Sequence, residues 1–459
     1  MKIRRFTDFQ SQIKYPNFDT DYSELYASFL QTRLGELYQA VPWKEMVSCF
    51  DLKQNKKGPQ STFSPRGKIA LMFLKHYVGC SDEKLMEHLN ANAHYQIFCD
   101  VIISPLHPIK NFKIISEIRC ELGLKLDIPK LQSVLIDKWK PYMTNLDSIC
   151  CDATCYESDI RYPTDIKLVW EAVAWNYKNL KRISSRLRVR TARTKMIKWT
   201  KRYMNYSKSR KPSRKSKRSL RRGLLKLLKK INDILSDLEK QVIEEQTTTY
   251  CERRHTSKLI LNQQHDYFFE GIKPKDRVVS MDKPYLRPIV RGKEVNKVEF
   301  GAKVNKFQVD GIGFIEHISF DAYNEGTRLK STIWTAQKLL RKKVKIVGAD
   351  AIYATNANRT FVTKHGIKTD FKRKGKPSRH KDHYALLSKM ITKERATRLE
   401  GSFGTDKEYF LLKRIKARTK QTEILWIFFG IHTSNGLHSS QERSMVRMTQ
   451  GKAICGWAM

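Results

Sequence analysis

Three acidic residues sit in settings that could do chemistry: Asp152, Asp350 and Glu400. Asp152 follows the run Ser148-Ile149-Cys150-Cys151, and Asp350 closes the run Val344-Lys345-Ile346-Val347-Gly348-Ala349. Short apolar runs bounded by polar residues read as buried strands, so two strands are expected to end in aspartates. Strand ends of a largely parallel α/β sheet are where ligands bind. Paired carboxylates there offer hard oxygen ligands suited to Mg²⁺. Glu400 supplies a third acid on residues 384–403, where Leu386, Leu387, Met390, Ile391, Leu399 and Phe403 fall at roughly helical spacing. Singly, each acid has a structural use. Asp152 could cap the turn after it, Asp350 the helix after it, and Glu400 could pair with Arg395. Asp159, Asp165, Asp310 and Asp321 compete, and Asp321 is the strongest rival for the second position. Cys150, Cys151 and Cys155 with Cys251 and His255 lack the paired short spacings of structural zinc sites.

The flanks of the three acids resemble those of the DDE transposases of bacterial insertion sequences. Asp152-Ala153-Thr154 followed by Tyr162-Pro163-Thr164-Asp165 is similar to that family's first-aspartate block. Glu299-Phe300-Gly301-Ala302-Lys303 is similar to its second strand, and Gly348-Ala349-Asp350 to its second-aspartate strand. Arg398-Leu399-Glu400-Gly401-Ser402-Phe403-Gly404 resembles its glutamate helix, and the likeness extends over residues 60–435. The Tyr and Arg that often precede the Glu are out of register, with Arg395 and Arg398 the nearest candidates. Lys407 fits the usual downstream lysine. The resemblance implies a ribonuclease H-like fold and two Mg²⁺ or Mn²⁺ ions held by Asp152, Asp350 and Glu400. Asp152 would bridge both ions, and the other two acids would hold one each. It also implies double-stranded DNA as partner, both element terminal repeats and target, and a homodimer on DNA. Two other readings stay open: a ribonuclease H-like nuclease or resolvase without strand transfer, and a non-catalytic DNA-binding protein derived from a transposase.

The composition independently points to a polyanion. Lys and Arg outnumber Asp and Glu by 88 to 46 among 459 residues, a net charge of +42, beyond what solubility requires. The length suits two or three domains. The charged start lacks an apolar signal core, and the apolar run 424–431 is far short of a membrane span. A soluble, nucleoid-associated cytoplasmic protein with no membrane partner and reduced thiols is expected.

The elements that position the acids are expected to form an α/β fold. It comprises a ribonuclease H-like mixed sheet with flanking helices, interrupted by a basic helical insertion and preceded by an all-α domain. The expected boundaries are a polar arm at 1–20, a helical DNA-binding domain at 21–140, a catalytic domain at 141–435 with the insertion at about 171–260, and a tail at 436–459. Leu25, Phe29, Leu34, Leu37 and Tyr38 suit one amphipathic helix, and Ile69 to Tyr77 another. The turn Gly79-Cys80-Ser81, with Ser81 as N-cap, gives the outline of a helix-turn-helix. Its second helix carries Lys84, Glu87, His88 and Asn90, polar side chains able to reach bases. Asn111 is expected to cap a helix ending at Gly123. Residues 178–230 hold 23 Lys or Arg and no Asp or Glu, interleaved with Trp199, Tyr203 and Tyr206. That pattern favours a DNA-tracking insertion containing Arg202, Lys211 and Arg214, with residues 208–218 as a mobile loop. Leu224, Leu228, Ile231, Leu235, Leu238 and Val242 then mark a helix. Asp310-Gly311 signals a hairpin, residues 367–371 a fifth strand, and 372–381 a basic loop. Lys303, Arg395, Arg398 and Lys407 complete the DNA-contacting candidates. No periodicity is visible beyond Asn435.

Overall fold

The computed structural model describes residues 20–53, 61–241, 247–290, 298–372 and 381–455. Most of the expected polar arm, Val242, the basic loop at 373–380 and the last four residues lie outside the described residues. Among the described residues eight helices come first: α1 (Thr20–Gln31), α2 (Arg33–Ala40), α3 (Trp43–Cys49), α4 (Pro65–Val78), α5 (Asp82–Ala91), α6 (Ala93–Phe98), α7 (Lys113–Leu124) and α8 (Ile128–Trp139). Strand β1 (Ser148–Ser158) precedes four long helices: α9 (Asp165–Arg186), α10 (Met196–Lys208), α11 (Arg214–Glu239) and α12 (Thr248–Phe269). Then come β2 (Pro288–Val290), β3 (Val298–Val309), β4 (Ile312–Ser319), α13 (Leu329–Leu340), β5 (Ile346–Ala349), α14 (Asn356–Lys364), β6 (Lys368–Thr369) and α15 (Lys381–Glu394). A π-helical stretch (Arg395–Glu400) leads into α16 (Gly401–Tyr409), β7 (Arg414–Ile415) and α17 (Lys420–Cys455). The chain divides into two compact units, the second built from Asp159–Gly301 and Phe320–Ala322, the first from the rest.

The first unit carries a mixed sheet. Strands run β4-β3-β1-β5-β6, with β7 added to β1. β1 pairs parallel with β5, and β5 with β6, while β3 and β4 form an antiparallel hairpin. Asp310 (φ 46°) and Gly311 (φ 82°) make the turn, with positive φ at both central residues as the hairpin signal requires. This is a mixed α/β fold consistent with the expected ribonuclease H-like architecture. Gly348 is required at β5 because a Cβ there would meet Ile391 Cγ2 of α15 at 2.7 Å.

The N-terminal helices begin and end largely as local signals direct. Ser64 caps α4 through Gly67 N–H, Gly79 (φ 72°) closes it in the left-handed region, and Ser81 caps α5 through Lys84 N–H. Three expectations need correction. The first amphipathic stretch is two helices, because Thr32 breaks it and caps α2 through Gly35 N–H. Asn111 accepts from Lys113 N–H, but Gly123 lies inside α7 rather than past its end. Residues beyond Asn435 are not aperiodic chain, since α17 runs to Cys455. That helix buries Leu425, Trp426, Ile427, Phe428, Phe429 and Ile431. Phe429 meets Phe73 of α4 edge-on at 4.9 Å, and Trp426 meets His76 at 5.3 Å. The N-terminal helices thus share a core with the C-terminal helix. Gln132 of α8 also clamps β4, donating to Ile315 C=O (2.9 Å) and accepting its N–H (2.7 Å).

The second unit has its own core. Val169, Ala172, Val173 and Leu180 of α9 pack with Leu224, Leu228, Ile231 and Leu235 of α11 and Ile260 of α12. The cations of residues 178–230 therefore decorate packed helices. Ser213 caps α11 through Ser216 N–H, so the helix starts ten residues before Leu224. Only 209–213 of the expected 208–218 loop lies between α10 and α11.

Candidate active site

Asp152 stands within β1 rather than at its end. The strand continues because residues Glu157 and Ser158 pair with β7. The β1–β5 register places Cys151 opposite Ala349, and the residues that follow this pair are Asp152, still within β1, and Asp350, just past the end of β5. Asp350 Oδ1 accepts Ala351 N–H (2.6 Å) and caps the short turn after β5. Asp152 Oδ1 accepts Ala153 N–H (2.8 Å). Both acids thus do the local work that each could do singly, and their convergence is the further observation.

Arg395 is the point of convergence. Its Nη1 lies 3.5 Å from Glu400 Oε1 and 3.9 Å from Asp350 Oδ1. The π-helical stretch explains how. A π-helical turn is wider than an α-helical one and bonds i→i+5, so residues five apart such as Arg395 and Glu400 come nearer to one face than α-helical spacing would bring them. Asp152 belongs to the same electrostatic cluster. Burial pushes its carboxyl up to about 6, Glu325 and Asp350 push the same way, and Ala153 N–H and Arg395 oppose them.

The supports beneath Glu400 are buried. Lys306 of β3, 1 % exposed, bonds Asp406 (2.8 Å) and Ser402 (2.9 Å) of α16, and Tyr156 OH of β1 donates to Asp406 (2.9 Å). Lys407 Nζ donates to Thr154 Oγ1 (3.1 Å), two residues along β1 from Asp152. Two strands therefore fix the helix that presents the glutamate.

Other predicted residues are placed differently. Arg398 faces Glu394 (3.3 Å) and Asp310 (3.9 Å), not the three acids. Lys303 is buried and ion-paired with Glu325 at 2.7 Å, which removes it from the surface available to DNA. Lys84 and His88 are exposed on α5. Asn90 is not available to bases, because it donates to Ile109 C=O and accepts Ile109 N–H, both at 3.0 Å. In the second unit Arg202, Lys211 and Arg214 are exposed. The rival acids have structural partners. Asp310 accepts from Thr144 and Asn145; burial alone would raise its pKa, but these bonds together hold it below the ordinary value. Asp165 pairs with Arg221 and Arg277, and Asp321 lies 3.9 Å from Arg287. Cys49, Cys80, Cys99, Cys120, Cys150 and Cys151 are free thiols.

Asp370 was missed. It follows β6 as Asp350 follows β5, its Oδ1 accepts Ala349 N–H (3.2 Å), and its Oδ2 lies 3.8 Å from Arg395 Nε. Burial raises its pKa. The signal was available, since an acid near the end of the expected fifth strand is the same pattern that singled out Asp350.

Residues 24–121 match the family described as transposase domain (DUF772), and residues 347–430 match the transposase DDE domain. Both matched families are transposase domains, consistent with a DDE transposase of an insertion sequence. The DDE match spans Asp350, Asp370, Arg395, Glu400 and Lys407 and begins after Asp152, while the DUF772 match includes Lys84 and His88. The second unit lies outside both matches. No curated protein and no solved structure matches the chain.

Asp152, Asp350 and Glu400 fit a divalent cation by chemistry, since they are hard oxygen donors with unbalanced negative charge. Asp350 and Glu400 side chains are 44 % and 50 % exposed, so an ion has access. Their oxygens are not drawn tightly together. Among the described residues, the one group of three ligand atoms within 4.8 Å of one another is His265, Asp266 and Glu270 on α12 and just after it. No helix of the described residues is long and apolar enough to cross a membrane.

Proposed function

We propose that this chain is a transposase that binds the ends of its element and cuts and joins DNA at a site formed by Asp152, Asp350 and Glu400. The convergence of Asp350 and Glu400 on Arg395, with Asp152 and Asp350 each following the paired Cys151 and Ala349, supports this reading. Asp152, Asp350 and Glu400 would hold two Mg²⁺ or Mn²⁺ ions, which activate an oxygen nucleophile and neutralise charge on the leaving oxygen. In the first step water forms a new P–O bond, the bond from phosphorus to the 3′ oxygen breaks, and that oxygen leaves as a 3′ hydroxyl. In the second, this hydroxyl forms a P–O bond to target DNA, and the target's 3′ oxygen departs as a hydroxyl. The protein's own part is to hold three charged carboxylates in one place. Lys306, Asp406 and Tyr156 fix the glutamate helix.

The proposed division of labour gives the exposed cations of the second unit, Arg202, Lys211 and Arg214 among them, to phosphate contacts, and α5 to end recognition. Two copies of the chain would act on DNA, one for each element end.

Labelled element ends incubated with target DNA and Mg²⁺ test the proposal. Joined product is expected from the wild type. Asp152→Asn, Asp350→Asn and Glu400→Gln should each lower cleavage by on the order of 10³ or more, as when one member of a catalytic set is removed, with DNA binding retained. Cleavage without joining would favour a nuclease or resolvase, and binding alone a non-catalytic derivative. Near-normal cleavage by any one variant would remove that residue from the set.

A further inference from the structure

Arg395 and Asp370 form a layer of charge beneath the carboxylates that the proposed reaction does not use. Arg395 faces three acids at long range, Glu400 at 3.5 Å, Asp370 at 3.8 Å and Asp350 at 3.9 Å. Its buried Nε has no hydrogen-bond partner among the described residues. A guanidinium has five N–H donors in a fixed fork, and a settled Arg–carboxylate pair closes to about 2.7–2.9 Å. This one is shared among acids and closed on none. Of the three, Asp370 differs in two respects. Its side chain is 5 % exposed, against 44 % and 50 % for Asp350 and Glu400. One of its oxygens is already anchored on Ala349 N–H, the peptide adjoining Asp350, which leaves the other facing Arg395.

Resting on the reading of Asp152, Asp350 and Glu400 as the ligand set, we infer that Arg395 is the resident counter-cation of the site and Asp370 the acid that receives it. With Asp350 and Glu400 engaged by a divalent cation, the guanidinium is released from both and closes on Asp370. Arg395 and Asp370 are positioning residues, and together they set how strongly the site takes up metal. A guanidinium and a dication compete for the same carboxylates, so removing the competitor strengthens metal binding. Removing the receiving acid weakens it, because the displaced cation then has nowhere to pair.

Calorimetric titration of the full-length protein with MnCl₂, without DNA, tests this. Arg395→Gln should bind Mn²⁺ more tightly than wild type and Asp370→Asn more weakly, each by about ten- to hundredfold, the range for outer-shell partners of metal ligands. In the double variant the Asp370→Asn loss should disappear, since no guanidinium remains to be received. Weaker or unchanged Mn²⁺ binding by Arg395→Gln overturns the inference, as does an Asp370→Asn loss that persists in the double variant. Should Arg395→Gln fail to fold, Arg395→Met carries the same expectation. Asp152→Asn separates the two levels. If it leaves wild-type Mn²⁺ binding intact, the ligand set is wrong. If it abolishes binding while Arg395→Gln changes nothing, the counter-cation alone is wrong.

Discussion

Arg254 in the second unit and Arg395 in the first are both arginines set among acids and amides, and they are held in opposite ways. Arg254 is 4 % exposed and closes on its partners: Nε donates to Glu239 (2.7 Å), Nη2 to Asn232 C=O (2.8 Å) and Ser236 (3.0 Å), and Nη1 to the Asn232 side chain and to Asn176. Arg395 touches three acids and closes on none. A buried cation with its donors matched pins helices together. A cation shared at long range among carboxylates is poised for exchange, and that is where chemistry is expected.

The largest difference should appear in stability. Removing one partner of a buried pair costs about 3–5 kcal/mol because the other is left uncompensated. Arg254→Ala should therefore cost an amount of that order in urea unfolding, and Arg395→Gln clearly less, because its donors are closed on no acid. Equal losses would end the contrast.

A pH test sharpens the same point. The folded pKa of Asp152 is raised to about 6 from 3.8, so its stabilising contribution is full below about pH 4 and lost as pH rises through about 6. Asp152→Asn is never charged. Relative to wild type, the metal-free variant should melt at an unchanged temperature at pH 4 and several degrees higher at pH 7.5. A lower melting temperature at pH 7.5 would show that the charge is not strained.

Smaller effects are expected where the cations face solvent. Lys211, Arg214, Lys217 and Arg218 are exposed on and before α11. Each phosphate contact contributes about 0.9 to the slope of log affinity against log salt. Changing all four to Gln should flatten that slope by up to about 4, and an unchanged slope would remove this face from the DNA path. The smallest expected effect belongs to Lys84 and His88. Their replacement by Ala should erode preference for the element end by about 1–3 kcal/mol, the worth of one base contact, with little change in total affinity. Competition binding measures this, on the full chain. Residues 1–140 alone would lack α17, whose Phe429 completes the core around Phe73.

How legible this was in the sequence follows from period and locality. The strands leading to Asp152 and Asp350 are short apolar runs with an acid at a marked place, and the hairpin at Asp310-Gly311 needs only local turn chemistry. The π-helical stretch was not legible, because the residues from Arg395 to Glu400 look α-helical and only the fold shows the inserted turn. On the helix before it, Leu386 and Met390 are exposed while Ile391 is buried, and Leu399 and Phe403 beyond are buried too. The length of α17 was hidden because it buries polar residues as well as apolar ones. Asn435 bonds Gly313 through both N–H and C=O, and Thr433 bonds back to Phe429 C=O, so no apolar stripe marks the helix. Lys303 read as a surface cation because its partner Glu325 lies 22 residues away.

Asp152, Asp350 and Glu400 are the proposed metal ligands. Among the described residues, the other arrangement of donors is His265, Asp266 and Glu270, of which His265 and Glu270 are exposed. Replacing Mg²⁺ by Fe²⁺ and generating hydroxyl radicals with ascorbate and peroxide cuts the backbone close to a bound iron. Cuts are expected beside residues 152, 350 and 400, and Asp152→Asn should abolish all three. Cuts confined to residues 265–270, unchanged in Asp152→Asn, would contradict the account.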